Sequence, residues 1–167
     1  MNSFVSYLTE LFERPFTLKT VQMRNGRWPR VSYLYEINPQ LVPQNREENR
    51  KNLVTVNFQN IGEGDWDVDF LRGGSTAITG EGQANQVFTT VLDALRDFTQ
   101  KHKPHSLSFA VAKNELRATD LSYRSGSRLK LYRSLIKRFA PQMGYKVVFS
   151  SDVGSVNHFF LLHREKP

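Results

Sequence analysis

Asp65 to Ala112 reads DWDVDFLRGGSTAITGEGQANQVFTTVLDALRDFTQKHKPHSLSFAVA, and these residues decide the fold. Trp66, Val68 and Phe70 alternate with Asp65, Asp67 and Asp69, the two-residue period of a strand with one buried face. Gly73-Gly74 turns the chain, Ser75 to Thr79 is of short-strand length, and Gly80-Glu81-Gly82 follows. From Ala84 to about Lys101 the apolar residues Val87, Phe88, Val91, Leu92, Leu95 and Phe98 fall three and four apart, which predicts a helix closed by Pro104. Ser106 to Ala112 is then an apolar run of strand length. Strand, helix, strand in succession predicts a parallel crossover.

Upstream of this segment the pattern is antiparallel. Val31, Tyr33, Tyr35 and Ile37 alternate over Arg30 to Ile37. Val54, Val56 and Phe58 oppose Leu53, Thr55, Asn57 and Gln59, and Gly62 and Gly64 turn that strand into the one beginning at Asp65 as a hairpin. Between them, Asn38 to Asn52 reads as a loop or a short exposed helix. Downstream, Leu129, Tyr132, Leu135, Ile136 and Phe139 predict a helix from Ser127 to about Met143, with Gly144 as its stop. Tyr145 to Phe149 and His158 to His163 close the series as strands. At the other end, Phe4, Val5, Leu8, Leu11 and Phe12 form an amphipathic helical face ended by Pro15. The expectation is one mixed α/β (α+β) domain over 1–167, with a helical segment at 1–14 and a core over 30–163. Its central sheet is mixed but largely antiparallel and flanked by helices.

Composition narrows the chemistry. The 167 residues include twelve Phe and no Cys, enough bulky apolar material for a core and no thiol for disulfides, thiolate catalysis or zinc–thiolate sites. No basic-then-apolar leader and no run long enough to span a bilayer is present in the sequence, so a cytoplasmic protein without membrane attachment is expected. Asp65-x-Asp67-x-Asp69 lacks the glycine and glutamate of a calcium loop, because Phe70 and Thr76 stand at those positions. With His102, His105, His158 and His163 scattered, no metal is expected.

Charge is unevenly placed. Residues 1–100 hold ten Lys/Arg against twelve Asp/Glu, whereas residues 101–167 hold thirteen against four. Arg124, Arg128, Lys130, Arg133, Lys137 and Arg138 lie in one stretch without an acidic residue, and Tyr123 adds a ring beside them. Such a stretch suits an anionic ligand, a nucleic acid or an acidic protein, and equally a plain solvated helix face.

Thr79-Gly80-Glu81-Gly82-Gln83-Ala84-Asn85, the strand Ser106 to Lys113, the helix around Arg128-Leu129-Lys130-Leu131-Tyr132 and Met143-Gly144-Tyr145 together resemble the acyl-CoA-binding half of GNAT-type N-acetyltransferases. The resemblance covers residues 66 to 163. It implies a GNAT-like fold and transfer of an acyl group from acetyl-CoA or a related acyl-CoA to an amine. It places Gly80, Gly82, Gln83, Ala84 and Arg128 at the cofactor and makes Tyr132 the general acid. Asp67 and Asp69 are candidate bases. Each has a plainer reading, Gly80 and Gly82 as a strand-to-helix turn, Tyr132 as a core ring and the aspartates as a solvated strand face. Acidic Glu81 and the long interval from Tyr132 to Gly144 depart from the family pattern.

Met1-Asn2-Ser3-Phe4-Val5-Ser6-Tyr7-Leu8-Thr9-Glu10 resembles the capsid-targeting peptides of internal proteins packaged by tailed phages, and Leu8-Thr9-Glu10 and Leu11-Phe12-Glu13 both match a prohead-protease pattern. That resemblance implies a phage-encoded protein of the host cytoplasm or the virion. It sets a non-enzymatic alternative beside catalysis, a virion or host-modulating protein that binds nucleic acid or a phage or host protein through Arg124, Lys130, Arg133, Lys137 and Arg138.

Overall fold

The computed structural model describes residues 14–72, 84–112, 133, 136–153 and 157–165. The segment 1–13, and with it the amphipathic helix expected there, lies outside the described residues. Among the described residues seven strands follow the order β1-β2-β3-β4-β5-β7-β6 in a mixed, mostly antiparallel sheet. They are β1 (Thr17–Arg24), β2 (Arg30–Glu36), β3 (Leu53–Asn60), β4 (Asp65–Arg72), β5 (Ser106–Ala112), β6 (Tyr145–Val153) and β7 (Asn157–Arg164). Helix α1 spans Arg46–Lys51 and helix α2 spans Ala84–His102. The chain divides into two compact units, residues 1–60 with 69–103, and residues 61–68 with 104–167.

In the first unit, α2 covers one face of the antiparallel strands. Val31, Tyr33 and Tyr35 on β2 and Val54, Val56 and Phe58 on β3 are buried, as are Val87, Phe88, Val91, Leu92, Ala94, Leu95 and Phe98 on the helix. The Phe58 and Phe98 rings stack with centroids 3.8 Å apart, and Tyr33 meets Phe58 edge-on. Two buried tyrosines still reach polar partners. The Tyr33 hydroxyl donates to Asp97 Oδ2 at 2.7 Å and the Tyr35 hydroxyl to Asp93 Oδ2 at 3.0 Å, so neither pays the cost of an unmade hydrogen bond. Burial works against the charged form of Asp97, yet hydrogen bonds from Lys101 and Tyr33 hold its carboxyl below the usual range.

The stretch read as loop or short helix contains α1. Asn45 caps it by accepting from the Glu48 amide at 2.8 Å, while Glu48 reaches back to the Gln44 amide at 2.7 Å. Asn52 then clamps the loop by accepting from the Asn38 amide and donating to its carbonyl.

Among the described residues, strand β1 is the one strand that the alternation did not reveal. It is exposed along nearly its whole length, and its pairing with β2 skips Lys19, so that Leu18 faces Tyr35 and Val21 faces Tyr33. The irregularity puts two apolar residues three apart on one face, which erases the two-residue period.

In the second unit, β4 and β5 run parallel from Asp65↔Ser106 to Val68↔Phe109, the crossover that the alternation predicted. β5 pairs antiparallel with β7, and β7 with β6. Leu107, Phe109, Phe160, Leu162, Tyr145, Ile136, Phe139 and Ala140 are buried. The Tyr145 hydroxyl donates to the Pro104 carbonyl at 2.6 Å, and burial pushes it up to about 12. Gly144 terminates the preceding turn in the left-handed conformation at φ 78°, as its place in the sequence suggested.

Candidate functional site

Strand β4 carries the carboxylates singled out in the sequence, and its register with β5 gives Asp65 and Asp67 a partner. Because parallel strands present alternate residues to one side, Asp65 and Asp67 lie beside Ser106 and Ser108, with Trp66 and Val68 beside Leu107 and Phe109. Ser106 Oγ donates to Asp65 Oδ1 at 2.6 Å, and Ser108 Oγ donates to Asp67 Oδ1 at 2.8 Å. The serines sit in a run that reads as apolar, and only the strand pairing exposes their role.

Asp65 also meets His105 Nδ1 at 3.2 Å, and the His105 ring lies 5.3 Å from that of His163. The Ser106 hydroxyl, opposed by some desolvation and aided by His105, holds the Asp65 carboxyl below the usual carboxylate range. A depressed folded-state pKa stabilises the fold above the unfolded value and loses that contribution as pH falls through the folded one. Ser106→Ala should therefore lower the urea midpoint at about pH 7, above the unfolded value, and lower it less at about pH 3, as pH falls toward the folded one. Equal losses at both pH values would show that the hydroxyl acts through packing alone.

Asp69 is engaged differently. Asn57 Nδ2 donates to its Oδ1 at 2.6 Å, Asn57 Oδ1 accepts from Ser32 Oγ at 2.7 Å, and Arg30 stands 3.9 Å from Oδ2. A polar relay across β2, β3 and β4 thus engages Oδ1 of Asp69, with Arg30 only within ion-pair range of Oδ2. Asp69 is held within this relay, whereas Asp67 accepts from Ser108.

Ala84 is the first residue of α2, whose 19 residues begin with a turn free of acidic side chains and end with Lys101 and His102. Gly80, Gly82, Gln83, Arg124, Arg128, Lys130 and Tyr132 lie outside the described residues. Arg133, Lys137 and Arg138 are exposed, flanking buried Ile136, Phe139 and Ala140, with the Arg138 guanidinium 6.0 Å from the Phe139 ring centre. Among the described residues no group of three or more His, Asp or Glu side chains is placed to hold a metal ion, and no helix is long and apolar enough to cross a membrane.

No protein-family model matches the chain, and no curated protein sequence matches it significantly. Among solved structures, the aminoglycoside 6'-N-acetyltransferase from Enterococcus faecium is similar over 83% of this chain and 74% of its own, with 15% identity and a TM-score of 0.41. An aminoglycoside 6'-N-acetyltransferase complexed with coenzyme A is similar over 83% of this chain and 75% of its own, with 15% identity and a TM-score of 0.37.

Proposed function

We propose that this chain is a phage-encoded, GNAT-like protein, a single domain that binds acyl-CoA and transfers the acyl group to an amine. The observation that carries this reading is the long helix that begins at Ala84, two positions after Gly82 in the sequence, with a first turn free of acidic side chains. Glycines there let a diphosphate approach the amides of Gln83 and Ala84 closely, and Arg128 supplies a cation for a phosphate. Asp67 takes the proton of the attacking amine. The amine nitrogen bonds to the thioester carbonyl carbon, the carbon–sulfur bond breaks, and the Tyr132 hydroxyl gives its proton to the departing sulfur.

Calorimetric titration with acetyl-CoA tests the reading. Binding is expected in the wild type and should be lost in Gly82→Val with the fold retained. Where turnover is measured, Tyr132→Phe should slow it by about 10²-fold. A wild type that takes up no acetyl-CoA would refute the proposal. The exposure of Arg133, Lys137 and Arg138 favours the non-enzymatic alternative in that event, binding of nucleic acid or a protein by the basic stretch from Arg124 to Arg138.

A further inference from the structure

The first hundred residues carry a slight excess of acid, yet the structure gathers three of their arginines at one tip. Arg24 and Arg30 are directly opposite each other as the last pair of the β1–β2 ladder. Arg27 and Trp28 lie in the turn between them, with the Arg27 guanidinium 5.7 Å from the Trp28 ring centre. Like charges directly opposite on a ladder are destabilising. Among the described residues no carboxylate pairs with Arg24 or Arg27, and Arg30 has only the distant Asp69, at 3.9 Å. Among the described residues the buried Arg30 Nε donor has no hydrogen-bond partner.

The tip is nevertheless held firmly. Gln59 Nε2 donates to the carbonyls of Trp28 and Pro29 at 2.8 and 3.2 Å, and the Asn60 amide donates to Pro29 at 2.8 Å. Those bonds fix the backbone of Trp28 while its side chain stays out of the core, at 53% exposure, with Met23 nearby in sequence at 64%. An indole kept in solvent on a braced turn, beside cations that repel one another, matches a ligand that brings both anionic groups and a flat ring. Phosphates relieve the Arg24–Arg30 repulsion and a base stacks on Trp28.

We propose that the β1–β2 tip binds single-stranded nucleic acid, with Arg24, Arg27 and Arg30 on backbone phosphates and Trp28 stacked on a base. An acidic peptide offers the charge but no ring of that kind, and a duplex keeps its bases stacked internally. Its residues, Arg24 to Arg30, are distinct in sequence from Gly80, Gly82 and the basic stretch after Arg124.

The test is a titration of the full chain with oligothymidylate and oligouridylate of about 15 nucleotides at about 50 mM salt, read by the anisotropy of an end-labelled oligomer and, in the wild type, also by tryptophan quenching. Quenching is expected with both oligomers if the sugar is not read, or with one if it is. Trp28→Ala should weaken binding roughly 5- to 150-fold while the urea midpoint stays put, because the carbonyl held by Gln59 is retained. Arg24→Ala/Arg27→Ala should flatten the log-affinity against log-salt slope by about 1.4, at about 0.7 per phosphate contact. No binding at low salt would overturn the proposal. So would wild-type affinity and slope in both variants, which would move the site elsewhere, or quenching by polyglutamate with none by either oligonucleotide.

Discussion

Phe98→Ala should destabilise the protein by about 3–5 kcal/mol, the cost of removing a large buried ring and leaving its cavity. Phe98 is fully buried, stacked on Phe58 with the rings 8° from parallel, and faces the His102 ring on its own helix at 4.6 Å. The surroundings have little room to collapse, because the strands behind Phe58 are held by their ladder and by the Tyr33 and Tyr35 bonds to α2. Phe98→Leu refills most of the volume and should cost under about 1.5 kcal/mol. Urea denaturation of both variants measures the difference. A loss below about 1 kcal/mol in Phe98→Ala would mean that the stack contributes no more than an ordinary half-buried contact.

Gly64→Val should cost about 3 kcal/mol, from two sources. Gly64 adopts φ +83°, which disfavours a side chain by about 1–2 kcal/mol and a β-branched one most. A Cβ there would also stand 3.2 Å from His105 Cβ and 3.6 Å from its amide nitrogen, neither of which is the yielding end of a long side chain. The Gly64 carbonyl accepts from the His105 amide at 2.7 Å and from the Ser106 amide at 3.4 Å, so a displaced Gly64 disturbs the start of the β4–β5 ladder. Gly62→Ala is the control, since its Cβ would meet only Asp65 Oδ2 at an ordinary 3.8 Å; it should cost under about 0.5 kcal/mol. Comparable losses at Gly62 and Gly64 would contradict this account.

Much of the fold was legible because burial imposes a local period. Strand β2 buries one face and its apolar residues repeat at two, as do those of β3 and β4, those of α2 repeat at three and four, and β5 is an apolar run buried on both faces. β1 buries neither face and contains an irregularity at Lys19, so nothing periodic marks it. The candidate site was legible in part. Asp67 and Asp69 stood out as equivalent acids on one strand, yet one is bonded by Ser108 and the other by Asn57. Such partners come from positions 41 and 12 residues away, and no pattern within β4 encodes them.

By itself the sequence determined the absence of thiol chemistry, the strand and helix periods, the parallel crossover through α2 and the stop at Gly144, because each follows from residue type or from spacing along a few turns of chain. Only the tertiary structure decided the register. It set Ser106 against Asp65, joined Asn57 to Asp69, and brought Arg24 opposite Arg30 beside an exposed Trp28. Register is fixed by which faces of distant strands are buried together and by the turn that joins them. A charge that is unremarkable in the chain thereby becomes half of a pair of like charges facing each other across two strands.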